Sequence, residues 1–432
     1  MGWVKMKLGD VLKNREGRYK PDDPQIAGLK RIDKINFSGQ IFLSDKGSNT
    51  DMILIKKGDL VISGINVEKG ALAVYEGEED ILATIHYSSY IFDTTKIDID
   101  FLKVFLRSPD FVQLLKEQVP GGIKTEIKPK HILPLEVYFP ETTTEQKVIA
   151  GRFFEKEAKF NLLDEHISYQ LTQLENLNQA ILQEAVQGKL VPQDPKDEPA
   201  SELLKRIKAE KAKTGKKEKP LPPIKPEEIP FEIPENWVWC RLIDLGSTQT
   251  GTTPPTANKE FFGKEIPFIK PSDISLSGIN YDNEGLTLAG LEKGVLIKEN
   301  SLLMVCIGGS TGKSNYIKRD VSCNQQINAI NGFCGVSGQF LHYFLQSPYF
   351  QKAIWAKSSG GTTPIVNKSK WESIPIPLPP LSEQKLIVAE IEKQFAKTKQ
   401  LKEYIIANQQ ATEQLLKALL HQAFEIEEME TV

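Results

Sequence analysis

An internal repeat constrains the fold of this chain more than any other feature. Six residues return with identical spacing 239 positions later: Phe101, Leu102, Phe105, Leu106, Ser108 and Pro109 recur as Phe340, Leu341, Phe344, Leu345, Ser347 and Pro348. Two further motifs repeat at nearly the same offset: Gly121-Gly122 as Gly360-Gly361, and Glu145-Gln146-Lys147 as Glu383-Gln384-Lys385. Such spacing across motifs of different composition predicts two copies of one unit, each about half of the chain.

The bulk composition excludes several classes of protein. The 54 Lys and Arg against 57 Asp and Glu give a net charge of −3, so any anion-binding site must be local. The four cysteines, Cys240, Cys306, Cys323 and Cys334, form no C-x-x-C pair, which favours reduced thiols over a zinc or disulfide framework. No uncharged stretch is long enough to span a membrane, and the N-terminus lacks an apolar signal region, so we expect a cytoplasmic protein.

Two proline-free segments, 144–188 and 382–426, follow the two copies of the repeat and predict long helices. Thr144 and Ser382 are their expected N-caps, each followed by a glutamate that suits the positive end of the helix dipole. Apolar residues at seven-residue spacing predict a coiled-coil seam. Its expected members are Phe153, Phe160, Ile167, Leu174, Ile181, Ile391, Leu401, Ile405, Leu415 and Leu419.

These features predict an α+β fold with two similar α/β domains, 1–143 and 231–381, separated by two long helices. Each helix would measure roughly 65 Å, too long to lie inside one domain. If the two seams bury each other, the return of the chain makes the coiled coil antiparallel and the whole arrangement pseudo-two-fold symmetric.

Residues 189–230 are rich in proline and lysine and predict an extended, solvated connector around a lysine-rich helical piece, Ser201–Lys213. Its basic run from Lys205 to Lys219 could touch phosphate, but Glu210 and Glu218 interrupt the run. Residues 427–432 form a short tail.

Catalytic motifs are weak. The segment Gly308–Ser314 resembles a phosphate-binding loop, but Ile307 stands where a Walker A motif needs glycine. Asp110, Glu126 and Lys128 fit a loose metal-nuclease pattern whose carboxylates are missing from the second copy. The histidines are scattered, and we expect no catalytic residue and no metal site.

Polar residues beside the repeated glycines point instead to binding of a polyanion, because glycine lets backbone approach closely and lysine neutralises phosphate. Threonine, asparagine and glutamine in two other segments offer groups that read base edges. The candidates in the first copy are Arg18, Lys20, Lys30, Arg31, Gly121, Gly122, Lys124, Lys128 and Lys130. Those in the second copy are Thr250, Thr252, Thr253, Lys313, Asn324, Gln325, Gln326, Gly360, Gly361, Thr362, Thr363, Lys368 and Lys370.

Three motifs resemble those of the specificity subunits of type I restriction-modification enzymes. They are Gly188–Asp194 (GKLVPQD), the pair Pro220–Ile224 (PLPPI) and Ile233–Trp237 (IPENW), and Pro379–Lys385 (PPLSEQK). The resemblance covers essentially the whole chain.

The resemblance implies two target-recognition domains that each read half of a split site in double-stranded DNA. It also implies helices that set the spacer and dock two methyltransferase subunits, with a restriction subunit able to join. S-adenosylmethionine, and ATP for restriction, would then be bound by the partner subunits and not by this chain.

Two rival functions stay open. A repeat scaffold that pairs two copies of a protein partner would carry apolar loops at equivalent places in both copies. A nuclease built on Asp110, Glu126 and Lys128 would cleave DNA in the presence of a metal ion.

Overall fold

The computed structural model describes residues 2–36, 39–65, 71–118, 126–214, 221–360 and 363–424. The chain divides into two compact units. Unit 1 contains Met1–Tyr169 and Ile405–Val432, and unit 2 contains Gln170–Tyr404. Each unit therefore combines one α/β domain with part of both long helices.

Among its described residues, the α/β domain of unit 1 contains three sheets and three short α-helices. Its strands are β1 (Trp3–Lys7), β2 (Leu12–Asn14), β3 (Arg31–Ile35), β4 (Ile41–Ser44), β5 (Met52–Ile55), β6 (Leu60–Ser63), β7 (Leu72–Val74), β8 (Ile81–Thr84), β9 (Tyr87–Phe92) and β10 (Glu136–Pro140). Its helices are α1 (Ile99–Leu106), α2 (Pro109–Gln118) and α3 (Pro129–Ile132). The strand orders are β2-β9-β6-β7, β4-β3-β8-β5 and β1-β10.

The long helix α4 (Thr143–Val186) begins in unit 1 and ends in unit 2, where α5 (Ala200–Lys213) follows it. The strands of unit 2 are β11 (Val238–Arg241), β12 (Gly246–Thr250), β13 (Phe262–Ile269), β14 (Ile274–Ser275), β15 (Gly278–Ile279), β16 (Gly285–Leu286), β17 (Leu302–Val305), β18 (Ser314–Tyr316), β19 (Ser322–Cys323), β20 (Ile327–Gly332) and β21 (Pro375–Leu378). Its further helices are α6 (Leu288–Lys293), α7 (Gly338–Leu345), α8 (Pro348–Ala356) and α9 (Lys368–Glu372). The long helix α10 (Leu381–Phe424) begins in unit 2 and ends in unit 1.

The two α/β domains share their sheet topology. The order β12-β20-β17-β18 in unit 2 matches β2-β9-β6-β7 in unit 1. Leu60 pairs with Tyr90 in unit 1, and Leu302 pairs with Ile330 in unit 2. Both domains also contain one parallel strand pair, β3 with β8 and β13 with β19. The two copies predicted from the sequence therefore share the strand order and the strand register of this four-stranded sheet.

The repeated six-residue motif encodes two short helices and the core beneath them. Phe101 and Leu102 are fully buried on α1. At the junction between α1 and α2, Ser108 Oγ accepts a hydrogen bond from Phe111 N at 3.2 Å, and Pro109 opens α2. Serine followed by proline is a favoured helix start, because the hydroxyl satisfies a free N–H and proline needs none. The same cap recurs at Ser347 in unit 2.

The long helices run antiparallel within each unit. In unit 2, Thr398 Oγ1 donates to Asn178 Oδ1 at 2.8 Å, and Lys402 Nζ lies 3.9 Å from Glu175 Oε1. In unit 1, Gln409 Nε2 donates to Asp164 Oδ1 at 2.8 Å. The predicted fold class, similar α/β domains with two long antiparallel helices, is confirmed.

The seam prediction is right for its seven-residue positions and wrong for the companions Leu401 and Leu415. Phe153, Ile167, Leu174, Ile181, Ile391 and Ile405 are buried, and Phe160 and Leu419 are partly buried. Leu401 and Leu415 are exposed, at 49% and 59%. Ile387 has the same heptad position as these two leucines and is buried, so the companion position is covered only near the start of α10.

The predicted N-caps are also displaced. Helix α4 begins at Thr143, and Thr142 Oγ1 accepts from Glu145 N at 3.2 Å and donates to Glu145 Oε2 at 3.0 Å. Thr142 is therefore the capping residue and Thr144 lies within the first turn. Helix α10 begins at Leu381, so Ser382 also lies inside the helix.

The expectation of a solvated connector is wrong for its central part. Helix α5 buries Ala200, Leu203 and Ile207 in the core of unit 2. Lys205, Lys208 and Lys213 are exposed. Lys211 Nζ donates to the Ile243 carbonyl at 2.6 Å, which fastens the end of the helix. The apolar residues at helical spacing therefore pack this segment against unit 2, although its high local charge favours a solvated segment.

The following segment is fastened to the same unit. The Arg241 guanidinium, 7% exposed, pairs with Glu228 at 2.9 Å and donates to the Pro222 carbonyl at 3.2 Å. Residues of the proline-rich stretch therefore satisfy a buried cation of unit 2.

Candidate nucleic-acid interface

Two predicted polar segments meet at one end of the β12-β20-β17-β18 sheet. Thr252 N donates to the Cys323 carbonyl at 2.9 Å, and Thr253 Oγ1 donates to Gln325 Oε1 at 2.7 Å. Thr250 is the last residue of β12, and its Oγ1 donates to Asn328 Oδ1 at 2.7 Å. The structure thus brings the threonine segment and the Asn324–Gln326 turn together.

The Asn324–Gln326 turn holds its own side chains in place. Asn324 is buried, and its Nδ2 donates to Gln326 Oε1 at 3.0 Å. Its Oδ1 accepts from Gln326 N at 3.2 Å. Gln325 is exposed, so this turn offers an amide to solvent from a fixed backbone.

The glycine-rich segment 308–313 forms a turn between β17 and β18. Thr311 N donates to the Gly308 carbonyl at 3.0 Å, and Gly312 has a φ of +94°. A strand follows this turn, whereas a phosphate-binding P-loop opens a helix. Lys313 is exposed at its end.

A third loop joins this turn through the backbone. Gly308 N donates to the Pro364 carbonyl at 2.9 Å, and Ser359 and Ile365 exchange two backbone hydrogen bonds. Gly360 has a φ of +97°, and an added Cβ would lie 2.4 Å from the Thr363 carbonyl, so this loop needs glycine there. Thr363 is exposed, while Gly361 and Thr362 lie outside the described residues.

The two lysines of α9 differ in their surroundings. Lys368 Nζ lies 3.3 Å from Glu372 Oε1, and this buried carboxylate also accepts a hydrogen bond from Thr248. Lys370 is half-buried, and its backbone N–H is capped by Asn367 Oδ1 at 2.9 Å. Lys368 therefore has a structural role in addition to its predicted contact with phosphate.

In unit 1 the predicted cations of residues 18–31 contact the protein itself. Arg18 and Lys20 lie 3.6 Å and 3.1 Å from the Asp51 carboxylate. Arg31 is mostly buried, and its Nε donates to the Lys46 carbonyl at 2.6 Å. Lys30 is exposed.

The second basic group of unit 1 lies at α3. Lys128 and Lys130 are exposed, and Lys128 Nζ lies 3.4 Å from Glu126 Oε2. Gly121, Gly122 and Lys124 lie outside the described residues.

The carboxylates of the nuclease pattern engage different partners. Asp110 Oδ1 lies 2.8 Å from His421 Nδ1, whereas Glu126 contacts His86 and Lys128. Among the residues that the structure describes, no group of three His, Cys, Asp or Glu side chains could hold a metal ion.

The cysteines are free thiols, three of them buried. Burial raises the pKa of Cys306 and of Cys323 to about 12. These thiols stay protonated and unreactive at neutral pH, as expected from the sequence.

The sequence motifs around Gly188, Trp237 and Glu383 converge in space, all within unit 2. Glu383 is buried, and its carboxylate accepts from Trp237 Nε1 at 2.8 Å and from Gln193 Nε2 at 2.6 Å. Gly188 has a φ of +70°, and an added Cβ would lie 2.4 Å from Pro234 Cγ. Three separate stretches of the chain therefore form one buried junction, which we call the Glu383 junction.

Burial is the main influence on the Glu383 carboxyl and raises its pKa, although the hydrogen bonds from Trp237 and Gln193 oppose this.

Within the described ranges, no helix combines the length and apolar character needed to cross a membrane.

Comparison with known proteins shows which proteins this chain resembles. A family model described as the type I restriction modification DNA specificity domain matches residues 234–409. The chain is 35% identical over 252 residues to the type I restriction enzyme EcoAI specificity subunit of Escherichia coli, covering 55% of this chain and 42% of that subunit. It is 24% identical over 424 residues to the HindI specificity subunit of Haemophilus influenzae, covering 87% of this chain and 90% of that subunit.

The alignments with the EcoAI and EcoEI subunits of E. coli span 42% and 44% of those relatives. Among solved structures, a chain from work on complex assembly and conformational transition of the type I R-M system has a TM-score of 0.70 at 16% identity over 98% of both chains. The HsdS subunit from Thermoanaerobacter tengcongensis has a TM-score of 0.52 at 17% identity, covering 98% of this chain and 96% of that one. These two structures share the fold of this chain. Over part of its length, the chain is similar to type I restriction enzyme specificity subunits.

Proposed function

We propose that this chain is the DNA-binding specificity subunit of a type I restriction-modification system. Each α/β domain reads one half of a bipartite site in double-stranded DNA. One observation carries the proposal: the matching four-stranded sheets of the two domains keep the same strand register, but the loops at the end of these sheets carry different polar side chains. Two domains with the same sheet and different loops are suited to recognise two different short DNA sequences.

The loops of unit 2 have the chemistry that base reading requires. The threonine segment, the Asn324–Gln326 turn, the 308–313 turn and the Gly360 loop are joined by hydrogen bonds into one polar surface. Amides and hydroxyls read base edges, while Lys313, Lys368 and Lys370 supply positive charge for phosphates. A scaffold for protein partners would be expected to carry apolar loops here, so this surface does not favour that alternative.

The two long helices set the spacer between the half-sites and dock two methyltransferase subunits. Supporting this, each helix is 44 residues long and belongs to both units. Exposed leucines on α4 and α10, including Leu177 and Leu401, offer apolar area for a helical partner.

In this proposal the chain is not itself an enzyme. The methyltransferase subunits bring S-adenosylmethionine and the adenine chemistry, and a restriction subunit that uses ATP can join the complex. The assembly acts in the cytoplasm, where it meets host DNA.

The test is to map modified adenines in the DNA of cells that express this chain with its methyltransferase. We expect a split motif with a fixed gap. Inserting seven residues at equivalent seam positions of both α4 and α10 should change the gap and leave both half-site sequences unaltered. A motif without a gap would contradict the two-reader proposal, and an unchanged gap in the insertion variant would contradict the role of the helices.

A further inference from the structure

His86 in unit 1 occupies the same structural position as Gln326 in unit 2. Both are the last residue of a two-residue turn, before β9 and β20 respectively. Gly64 N donates to the His86 carbonyl at 2.8 Å, and Cys306 N donates to the Gln326 carbonyl at 2.8 Å.

The next hydrogen bond in each unit is also the same. Ile127 N donates to the Gly64 carbonyl at 2.8 Å, and Val366 N donates to the Cys306 carbonyl at 2.8 Å. Ile127 and Val366 are 239 residues apart, which is the offset of the sequence repeat. The equivalence of His86 and Gln326 therefore rests on the backbone of both domains.

Neighbouring side chains fix the imidazole of His86. Its Nδ1 lies 2.9 Å from Glu126 Oε1, and the side chain is 48% exposed. The other carboxylate oxygen, Glu126 Oε2, lies 3.4 Å from Lys128 Nζ. Burial alone would raise the pKa of Glu126, but hydrogen bonds from His86 and Lys128 and the electrostatic interactions with both residues outweigh it and hold that pKa below its ordinary value.

We infer that His86 is a specificity-determining residue of unit 1, which accepts a hydrogen bond from an exocyclic amino group of adenine or cytosine. A carboxylate at Nδ1 fixes the tautomer that carries its proton there. Nε2 of the neutral ring is then an acceptor, and adenine N6 and cytosine N4 are the amino donors of the major groove. Glu126 is the positioning residue.

This inference rests on the proposed function, and one experiment separates the two. The chain is expressed with its methyltransferase as wild type and as His86→Ala, His86→Gln, Glu126→Gln and Gln326→Ala, and modified adenines in the host DNA are mapped. Lys196→Ala, at an exposed lysine outside the long helices and both α/β domains, is the control.

We expect His86→Ala to keep the split motif and its gap but to relax one position of one half-site. Preference at that position should fall by roughly tenfold, the worth of one hydrogen bond to a base. Glu126→Gln should relax the same position more weakly, since it loosens the ring without removing it. Gln326→Ala should act on the other half-site, and Lys196→Ala on neither.

The inference is overturned if His86→Ala and His86→Gln leave the motif unaltered while Gln326→Ala relaxes it, and the proposed function then survives. Loss of all methylation in both His86 variants, together with a lowered melting temperature, would make His86 a structural residue and would also overturn the inference. A wild-type motif without a gap would instead remove the proposed function itself, and the inference with it.

Discussion

Trp237 donates its indole N–H to Oε2 of Glu383 at 2.8 Å, across 146 residues of sequence. The carboxylate is buried, so its two oxygens depend on Trp237 and Gln193 for their hydrogen bonds. Trp237→Phe keeps most of the apolar contact and removes one donor. We expect a loss of about 1–3 kcal/mol in the free energy of unfolding of unit 2, measured by denaturant titration. The control Trp355→Phe, at an exposed position, should change the stability by less than about 0.5 kcal/mol.

A second prediction concerns two glycines at opposite ends of one helix. Gly188→Ala places a Cβ against Pro234 in a left-handed backbone conformation, and we expect a loss of more than about 1 kcal/mol. Gly151 lies inside α4 with open space around an added Cβ. Gly151→Ala should therefore stabilise the protein by about 0.5–1 kcal/mol. Thermal unfolding of the two variants should shift in opposite directions, and equal shifts would contradict this reading of the Glu383 junction.

The Glu228–Arg241 pair predicts a dependence on pH. Hydrogen bonds from Arg241 and from the Lys225 backbone lower the pKa of Glu228 to about 2. Because the folded pKa lies below the unfolded value, the ionised carboxylate stabilises the fold above about pH 4.5, and this contribution is lost as the pH falls towards 2.

Glu228→Gln should therefore lower the melting temperature at pH 7 and have little further effect near pH 2. We expect a difference of about 1–2 kcal/mol at pH 7, since partial exposure screens the pair. Glu227→Gln, at the exposed neighbour, is the control and should show no such change between the two pH values.

The two lysines of α9 should be separable by experiment. We expect Lys370→Ala to weaken DNA binding by the assembled complex and to reduce its salt slope by about 0.9. Lys368→Ala should have the same effect on DNA and should also lower the stability by about 1 kcal/mol, because Glu372 loses its cation. Filter binding at several salt concentrations and thermal unfolding measure the two effects. A salt slope unchanged from wild type would remove the lysine in question from the interface.

The duplication, the long helices and the seven-residue spacing of their apolar residues could be predicted, because each follows from a pattern that is visible in the sequence itself. The sequence did not distinguish the exposed Leu401 and Leu415 from Ile387, which is buried at the same heptad position, since all three residues are equally apolar. The docking of α5 was missed because three apolar residues at helical spacing stand among lysines, and only the core of unit 2 reveals their partner.

His86 was missed for a different reason. Taken alone it is one of several scattered histidines, and it gains meaning only through its equivalence with Gln326. The repeat offset of 239 carries Gln326 to Tyr87, one residue past His86, so only the backbone hydrogen bonds of the two domains reveal the equivalence. The sequence repeat could not predict the hydrogen bond between His86 and Glu126, because the residue of unit 2 that corresponds to Glu126 is Ile365, which cannot form such a bond.

The polar pairs along the long helices limit how these helices can change during evolution. Asn178 meets Thr398 in unit 2, and Asp164 meets Gln409 in unit 1. Inserting a single residue into one helix would rotate the positions that follow it by about 100°, which would separate the polar pairs beyond the insertion and turn buried isoleucines towards water. Insertions that survive selection should therefore come as whole heptads in both helices, so that new DNA sites arise in discrete steps of length and not as a continuum.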